Sequence, residues 1–226
     1  MTYLELCQKL CQKVGIGNTL STVTGQTGEL ARVTSWIDEA YLDIQTAHQD
    51  WDWMRTSASW TTTGGQSTYT TAQCGIAAGT FGMWDVFTFR NYITSSGVTS
   101  EYLMQCIGYD VWRDRYKFGA IQTVQTRPIE AAVAPDKSVC LGPFPSDGYT
   151  ITCDYFTAPV SMVNDSDVPT LPAQFHMAIV YKAMEYYALY QSAPEVLQDA
   201  QMQFFKYMAR LRKDRTPMPK FAGALC

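Results

Sequence analysis

Where helical periodicity occurs constrains the fold of this chain more than any other feature. Apolar residues recur at three- and four-residue spacing near both ends, while the middle consists of short alternating runs cut by Gly, Pro and Asp. The two periods put apolar side chains on different kinds of surface, so one segment cannot serve both. Tyr3, Leu6, Cys7, Leu10, Cys11 and Val14 predict a first amphipathic helix, closed by Gly15 and Gly17. After a polar loop at 18–28, Leu30, Val33, Ile37, Ala40, Tyr41, Ile44 and His48 predict a second. Beyond an Asp- and Pro-rich link at 164–169, Phe175, Ile179, Ala183, Met184, Tyr187 and Ala188 predict a third, with Pro172 near its start. Val196, Ala200, Phe204, Tyr207, Met208 and Leu211 predict a fourth, and Ser192-Ala193-Pro194-Glu195 before it fits a capping box.

Between these ends the text is rich in Thr, Tyr, Val, Ile and Phe. Residues 60–69 read as a hairpin turning at Gly64-Gly65. Residues 86–93, 101–106, 129–134, 138–141 and 149–157 read as strands, with one short helix at 109–116. A short helical hairpin leaves an apolar face open, so the terminal hairpins are expected to pack on each other. The fold class is therefore α+β: a four-helix bundle from the N- and C-terminal segments with an inserted antiparallel β domain, a small sandwich or barrel. The expected boundaries are 1–56 and 169–213 for the bundle, 57–168 for the insertion, and 214–226 for an extended C-terminal arm.

Composition bears on function. Charged residues are only 17% of the chain and aromatics reach 13%, a balance that suits subunit contacts as well as an aromatic-rich core. The net charge of -4 argues against a general nucleic-acid coat. That charge is unevenly placed: Lys206, Arg210, Arg212, Lys213, Arg215 and Lys220 stand with Asp214 as the one acid, so this stretch carries +5 and the remainder -9. Pro217 and Pro219 favour an extended path there, and Phe221 and Leu225 give it an apolar tip. Arg212, Lys213, Arg215, Pro217, Pro219, Lys220, Phe221 and Leu225 are thus the candidate residues of a docking arm.

Catalytic and metal-binding patterns are weak. The seven cysteines are scattered and never spaced as CxxC, which fits buried thiols in a reducing compartment. Cys7 and Cys11 share one helical face. No leader-like start and no bilayer-length apolar run is seen. His48 and His176 fall on apolar stripes and read as packing or capping groups. The acidic pairs Asp50/Asp52, Asp110/Asp114 and Asp165/Asp167 could divide acid and base roles, but turns, caps and surface pairing account for them. The expectation is no catalytic residue, no metal ligand and no cofactor.

Three segments carry a family resemblance: Asp50-Trp51-Asp52-Trp53-Met54-Arg55 after the second helix, Leu141-Gly142-Pro143-Phe144-Pro145-Ser146-Asp147-Gly148-Tyr149 leading into a strand, and residues 168–181 from Val168-Pro169-Thr170-Leu171-Pro172 to Tyr181. Together they resemble the phage head-to-tail adaptor, or connector, proteins related to the tail tubular A type. The resemblance implies a non-enzymatic structural subunit in a homo-oligomeric, dodecameric ring beneath the portal protein. It implies genomic DNA passing through the lumen without specific binding, a tail nozzle or tail terminator protein on the other side, and no membrane. The implied place is the head–tail junction of the virion, assembled in the host cytoplasm. The arm would reach the portal. The competing readings are a tail-completion or nozzle-ring protein and, further off, a glycan hydrolase using one acidic pair.

Overall fold

In the computed structural model, which describes residues 1–17, 20–146 and 148–215, the elements begin with α1 (Tyr3–Val14) and α2 (Gly28–Thr46). There follow β1 (Arg55–Thr61), β2 (Thr68–Tyr69), β3 (Phe81–Trp84), β4 (Arg90–Ile93), β5 (Tyr102–Leu103), β6 (Gln105–Cys106), α3 (Tyr109–Tyr116), β7 (Gln125–Thr126), β8 (Glu130–Val133), β9 (Val139–Gly142), β10 (Phe144–Pro145) and β11 (Tyr149–Thr157). The chain closes with α4 (His176–Gln191) and α5 (Pro194–Arg215). Among the described residues two compact units emerge, Met1–Met54 with those from Pro159 to Arg215, and Arg55–Ala158.

In the helical unit, α4 packs against α1, α2 and α5. Leu6, Leu10, Val33, Ile37, Ile44, Ile179, Ala183 and Leu211 lose essentially all solvent contact in one core. Each such Leu or Ile contributes about 1.5–3 kcal/mol by burial. The start of α1 is fixed by a capping box: Thr2 Oγ1 accepts from the Glu5 N–H and Glu5 Oε2 from the Thr2 N–H. Gly15, at φ 76°, closes the helix in the left-handed region.

Residues 159–168 lie with the helices. Gln45 exchanges two hydrogen bonds with the Val160 backbone, at 3.1 and 3.0 Å, and Asp38 accepts from the Met162 N–H at 2.8 Å. The Asp167 and Asp165 carbonyls accept from the Tyr3 and Leu4 N–H groups, first-turn donors that have no partner within α1. The expected capping box at Ser192–Glu195 does not form. Ser192 adopts φ 54° and ends α4, its N–H turned to the carbonyls of Ala188 and Leu189, while Pro194 opens α5. Proline suits a first helical position because its missing N–H would be unpaired there.

The second unit holds a five-stranded and a four-stranded sheet, neither closed on itself among the described residues. β11 is the axis of the larger one. It pairs antiparallel with β1 along one edge, from Arg55↔Phe156 to Thr61↔Thr150. Its other edge takes β4 at the start and β3 at the end. β5 extends the sheet from β4. The smaller sheet runs β2-β9-β8-β6, with β6 parallel to β8. β7 and β10 form a separate parallel pair. Trp60, Trp84 and Ile151 of one sheet, with Phe89 just ahead of β4, share a core with Tyr69, Ala131, Val139 and Leu141 of the other. This is a sandwich-like closure of two apolar faces.

The predicted 60–69 hairpin is replaced by a crossing. β1 goes to β11 and β2 to β9, so Gly64-Gly65 carries the chain between sheets. Trp60 and Tyr69 still meet, with ring centroids 6.1 Å apart in the shared core. The strand expected at 86–93 shortens to β4. Thr88 turns back on the Asp85 carbonyl, its N–H at 3.1 Å and its hydroxyl at 2.8 Å. α3 lies on β8 and β9. Trp112 Nε1–H donates to the Leu141 carbonyl at 3.0 Å, and the Tyr116 hydroxyl donates to Glu130 at 2.8 Å. Arg115 pairs with the same carboxylate.

Candidate assembly surfaces

α5 has two faces of different character. Ala200, Met208 and Leu211 are buried, with Phe204 and Tyr207 packed beside them. On the opposite face Met202, Phe205 and Ala209 are exposed, and Phe205 keeps 74% of its surface in solvent. Residues three and four apart adjoin on a helix, so these three form a stripe. Lys206, Arg210 and Lys213 run beside it at the same spacing, all exposed. The charge of Lys213, in the last turn, complements the negative C-terminal pole of the helix.

A second surface lies along the seam of α2 and α4. Trp36 meets the Tyr187 ring edge-on at 6.0 Å and the Tyr190 ring at 5.7 Å. The Arg32 guanidinium lies 4.5 Å over Tyr190. Leu189 and Tyr190 are 64% and 53% exposed. One helical turn further along α2 the seam becomes acidic. Glu39 accepts from Ser35, and Asp43 accepts from the Tyr186 hydroxyl. Lys182 stands 3.7 Å from Asp43 and 3.0 Å from Glu185. Burial, with Asp43 next in weight, pushes the Tyr186 phenol up, so it stays protonated and remains a donor.

Of the predicted arm, Arg212 and Lys213 stand exposed on the last turns of α5, and Arg215 is its final residue. Pro217, Pro219, Lys220, Phe221 and Leu225 lie outside the described residues. At the last turns of α5, Gln174, Phe175, Tyr207, Arg210, Lys213 and Asp214 line an open groove of about 480 Å³. The Gln174 amide donates to Asp214 there at 3.0 Å. Sequence reasoning found the basic stretch but missed the stripe and the seam. The apolar positions of both fall outside the core periodicity that locates helices.

The acidic pairs do not converge on a cleft. Asp110 and Asp114 both address Arg113 from exposed positions. Asp165 accepts from the Val23 N–H at 2.5 Å. Asp167 accepts from the Val163 and Asn164 N–H groups, and these bonds hold its carboxyl below the usual value. Asp50 and Asp52 are exposed. Among the described residues no cluster of His, Cys, Asp or Glu could hold a metal ion, and no helix is long and apolar enough to cross a membrane. Cys7, Cys11, Cys74, Cys106, Cys140 and Cys153 are unbridged, and burial raises each thiol, Cys74 to about 12. Such groups are poor nucleophiles at neutral pH.

His48 lies edge-on to Trp51 at 4.8 Å. His176 is buried, its Nε2 2.8 Å from the Leu171 carbonyl and its Nδ1 2.8 Å from the Met1 amino group. Burial, the largest cause, holds its pKa below the ordinary imidazole value of about 6.5. The unfolded chain therefore takes up a proton below about 6.5 that the folded chain refuses. Stability is expected to be fully present above that pH and to fall as pH drops toward the folded value. Urea midpoints measured from pH 7.5 to 5 check this. In His176→Gln the decline should flatten, and an unchanged slope would place the titration elsewhere.

The exposed apolar positions on α4 and α5 are of the kind found on proteins that act through their surfaces. Residues 1–222 match the SU10 adaptor protein family, and the chain belongs to that family. It is a phage adaptor protein, a structural component of the virion that works with other head and tail proteins. No curated protein matches the chain.

Proposed function

We propose that this chain is the head-to-tail adaptor of a tailed phage. It forms a ring beneath the portal protein, continues the DNA channel, and gives the tail its attachment surface. The observation that carries this reading is the family match across residues 1–222. The charge distribution supports it. A body of -9 outside the basic stretch lets genomic DNA slide through the lumen, because each phosphate contact would add grip. A homo-oligomeric, dodecameric ring is the state the family resemblance implies, with a tail nozzle or tail terminator protein below. Its place is the head–tail junction, reached after assembly in the host cytoplasm, and it turns over no substrate.

The portal contact falls to the stretch containing Arg212, Lys213, Arg215, Pro217, Pro219, Lys220, Phe221 and Leu225. Its support is the run of bases on the last turns of α5 and the groove beside them. Deleting residues 215–226 is expected to leave the far-ultraviolet spectrum and melting temperature intact. It should weaken co-sedimentation with portal by more than about tenfold, the equivalent of ~1.4 kcal/mol. A truncated protein that still sediments with portal removes the arm from the contact. One that instead loses a tail protein favours the tail-completion reading.

A further inference from the structure

The stripe on α5 and the seam of α2 and α4 carry one more inference, which rests on the ring reading above. We propose that they are the two halves of one lateral interface, with the α5 stripe of each copy seated on the α2/α4 seam of the next.

Each half has an apolar centre that its own copy leaves uncovered. Met202, Phe205 and Ala209 form it on α5, and Leu189 and Tyr190 form it on the seam, beside the half-buried Trp36. Trp, Tyr and Arg are the residues that most often dominate association energy, and the Tyr190 ring already holds a tilted contact with Trp36 and the Arg32 guanidinium over its face. Such preformed contacts lower the entropy cost of ordering the interface.

The charges decide the occupant. The α5 half carries Lys206, Arg210 and Lys213, and none of the described ion pairs engages them. The acidic end of the seam presents the exposed carboxylates of Glu39 and Asp43, while Lys182 and Glu185, 3.0 Å apart, keep only 20% and 12% of their side chains in solvent. Stripe on stripe would bring bases together, and seam on seam would bring acids together. Stripe on seam matches both sign and apolar centre. The two halves are also different surfaces. The exposed stripe is opposite the α5 side that meets α4, where Phe204 and Tyr207 touch Lys182 and Tyr181. A contact between unlike patches is head-to-tail, the type that closes into a ring when its rotation allows.

A charge swap tests this. The full chain is made as Lys206→Glu/Arg210→Glu, as Glu39→Lys/Asp43→Lys, and with all four substitutions together. Assembly is followed by sedimentation velocity and electron microscopy across a dilution series, with circular dichroism confirming the fold. Each double variant is expected to raise the dissociation midpoint by at least about tenfold, and the quadruple variant to regain much of the assembly. Phe205→Ala should weaken assembly without touching the charges. Wild type should dissociate more readily as salt rises. A wild type that forms rings while both double variants assemble equally well overturns the interface and leaves the ring reading standing. A wild type monomeric at every concentration overturns both. An α5 variant that assembles normally but loses retention on double-stranded DNA assigns the stripe to nucleic acid and overturns the proposal.

Discussion

Replacing Trp51 with alanine is expected to destabilise the helical unit by about 3–5 kcal/mol. The indole is 1% exposed, so nearly its whole volume becomes a cavity. Its Nε1–H donates to the Ile44 carbonyl at 3.0 Å, and Ile44 lies in the last turn of α2, where backbone acceptors lack helical partners. Its ring stacks on Trp53 with centroids 4.2 Å apart and meets His48 edge-on. Alanine removes the packing, the cap and both ring contacts together. The measurement is chemical denaturation followed at 222 nm, where most of the signal comes from this unit. Trp51→Phe should cost less because it keeps a ring and loses the capping hydrogen bond, worth about 1 kcal/mol. An alanine variant within experimental error of wild type would show that the site repacks completely.

Adding one methyl to the second unit should cost nearly as much. In Gly142→Ala the new carbon would stand 2.6 Å from Tyr116 Cδ2 and 2.9 Å from its Cζ. The ring cannot swing aside freely. Tyr116 is buried, and its hydroxyl is bonded to Glu130, the residue paired with Gly142 across β8 and β9. Nor can the strand retreat, because the Gly142 carbonyl accepts from the Ile129 N–H at 2.9 Å. Overpacking of this kind costs about 1–3 kcal/mol, and displacing the hydroxyl from a carboxylate adds about 1.5 kcal/mol or more. The expected total is ~3 kcal/mol, read as earlier proteolysis and unfolding of residues 55–158. A double-mutant cycle locates the cause. In a Tyr116→Ala background the cost of Gly142→Ala should largely vanish, and a cost that persists would mean the methyl meets something else.

The terminal helices were legible because their signal is local. Leu6, Leu10, Val33, Ile37, Ile179 and Leu211 all repeat at helical spacing and all are buried. β11 was legible for the same reason, with Ile151 and Cys153 alternating inward. The basic end of α5 could be read by counting charges. The hairpin at 60–69 misled because Gly64-Gly65 marks a turn but not the partner of the strand that enters it. β1 pairs with β11 roughly ninety residues on, where a seven-residue register and the Trp60 core outweigh a local reversal. The capping box at Ser192 failed because two motifs competed for one residue. Closing α4 in the left-handed region and opening α5 at Pro194 leave no helix start for Ser192 to cap.

The sequence by itself determined the class of fold, the helical ends, the strand-rich middle and the family, since each rests on periodicity, punctuation or motif within a short stretch. Only the tertiary structure decided which strands pair, that residues 159–168 fasten to the helices, and that Trp36 and Tyr190 meet across two helices far apart in the chain. Those outcomes depend on which distant surfaces bury each other best, and no window of neighbouring residues contains that comparison.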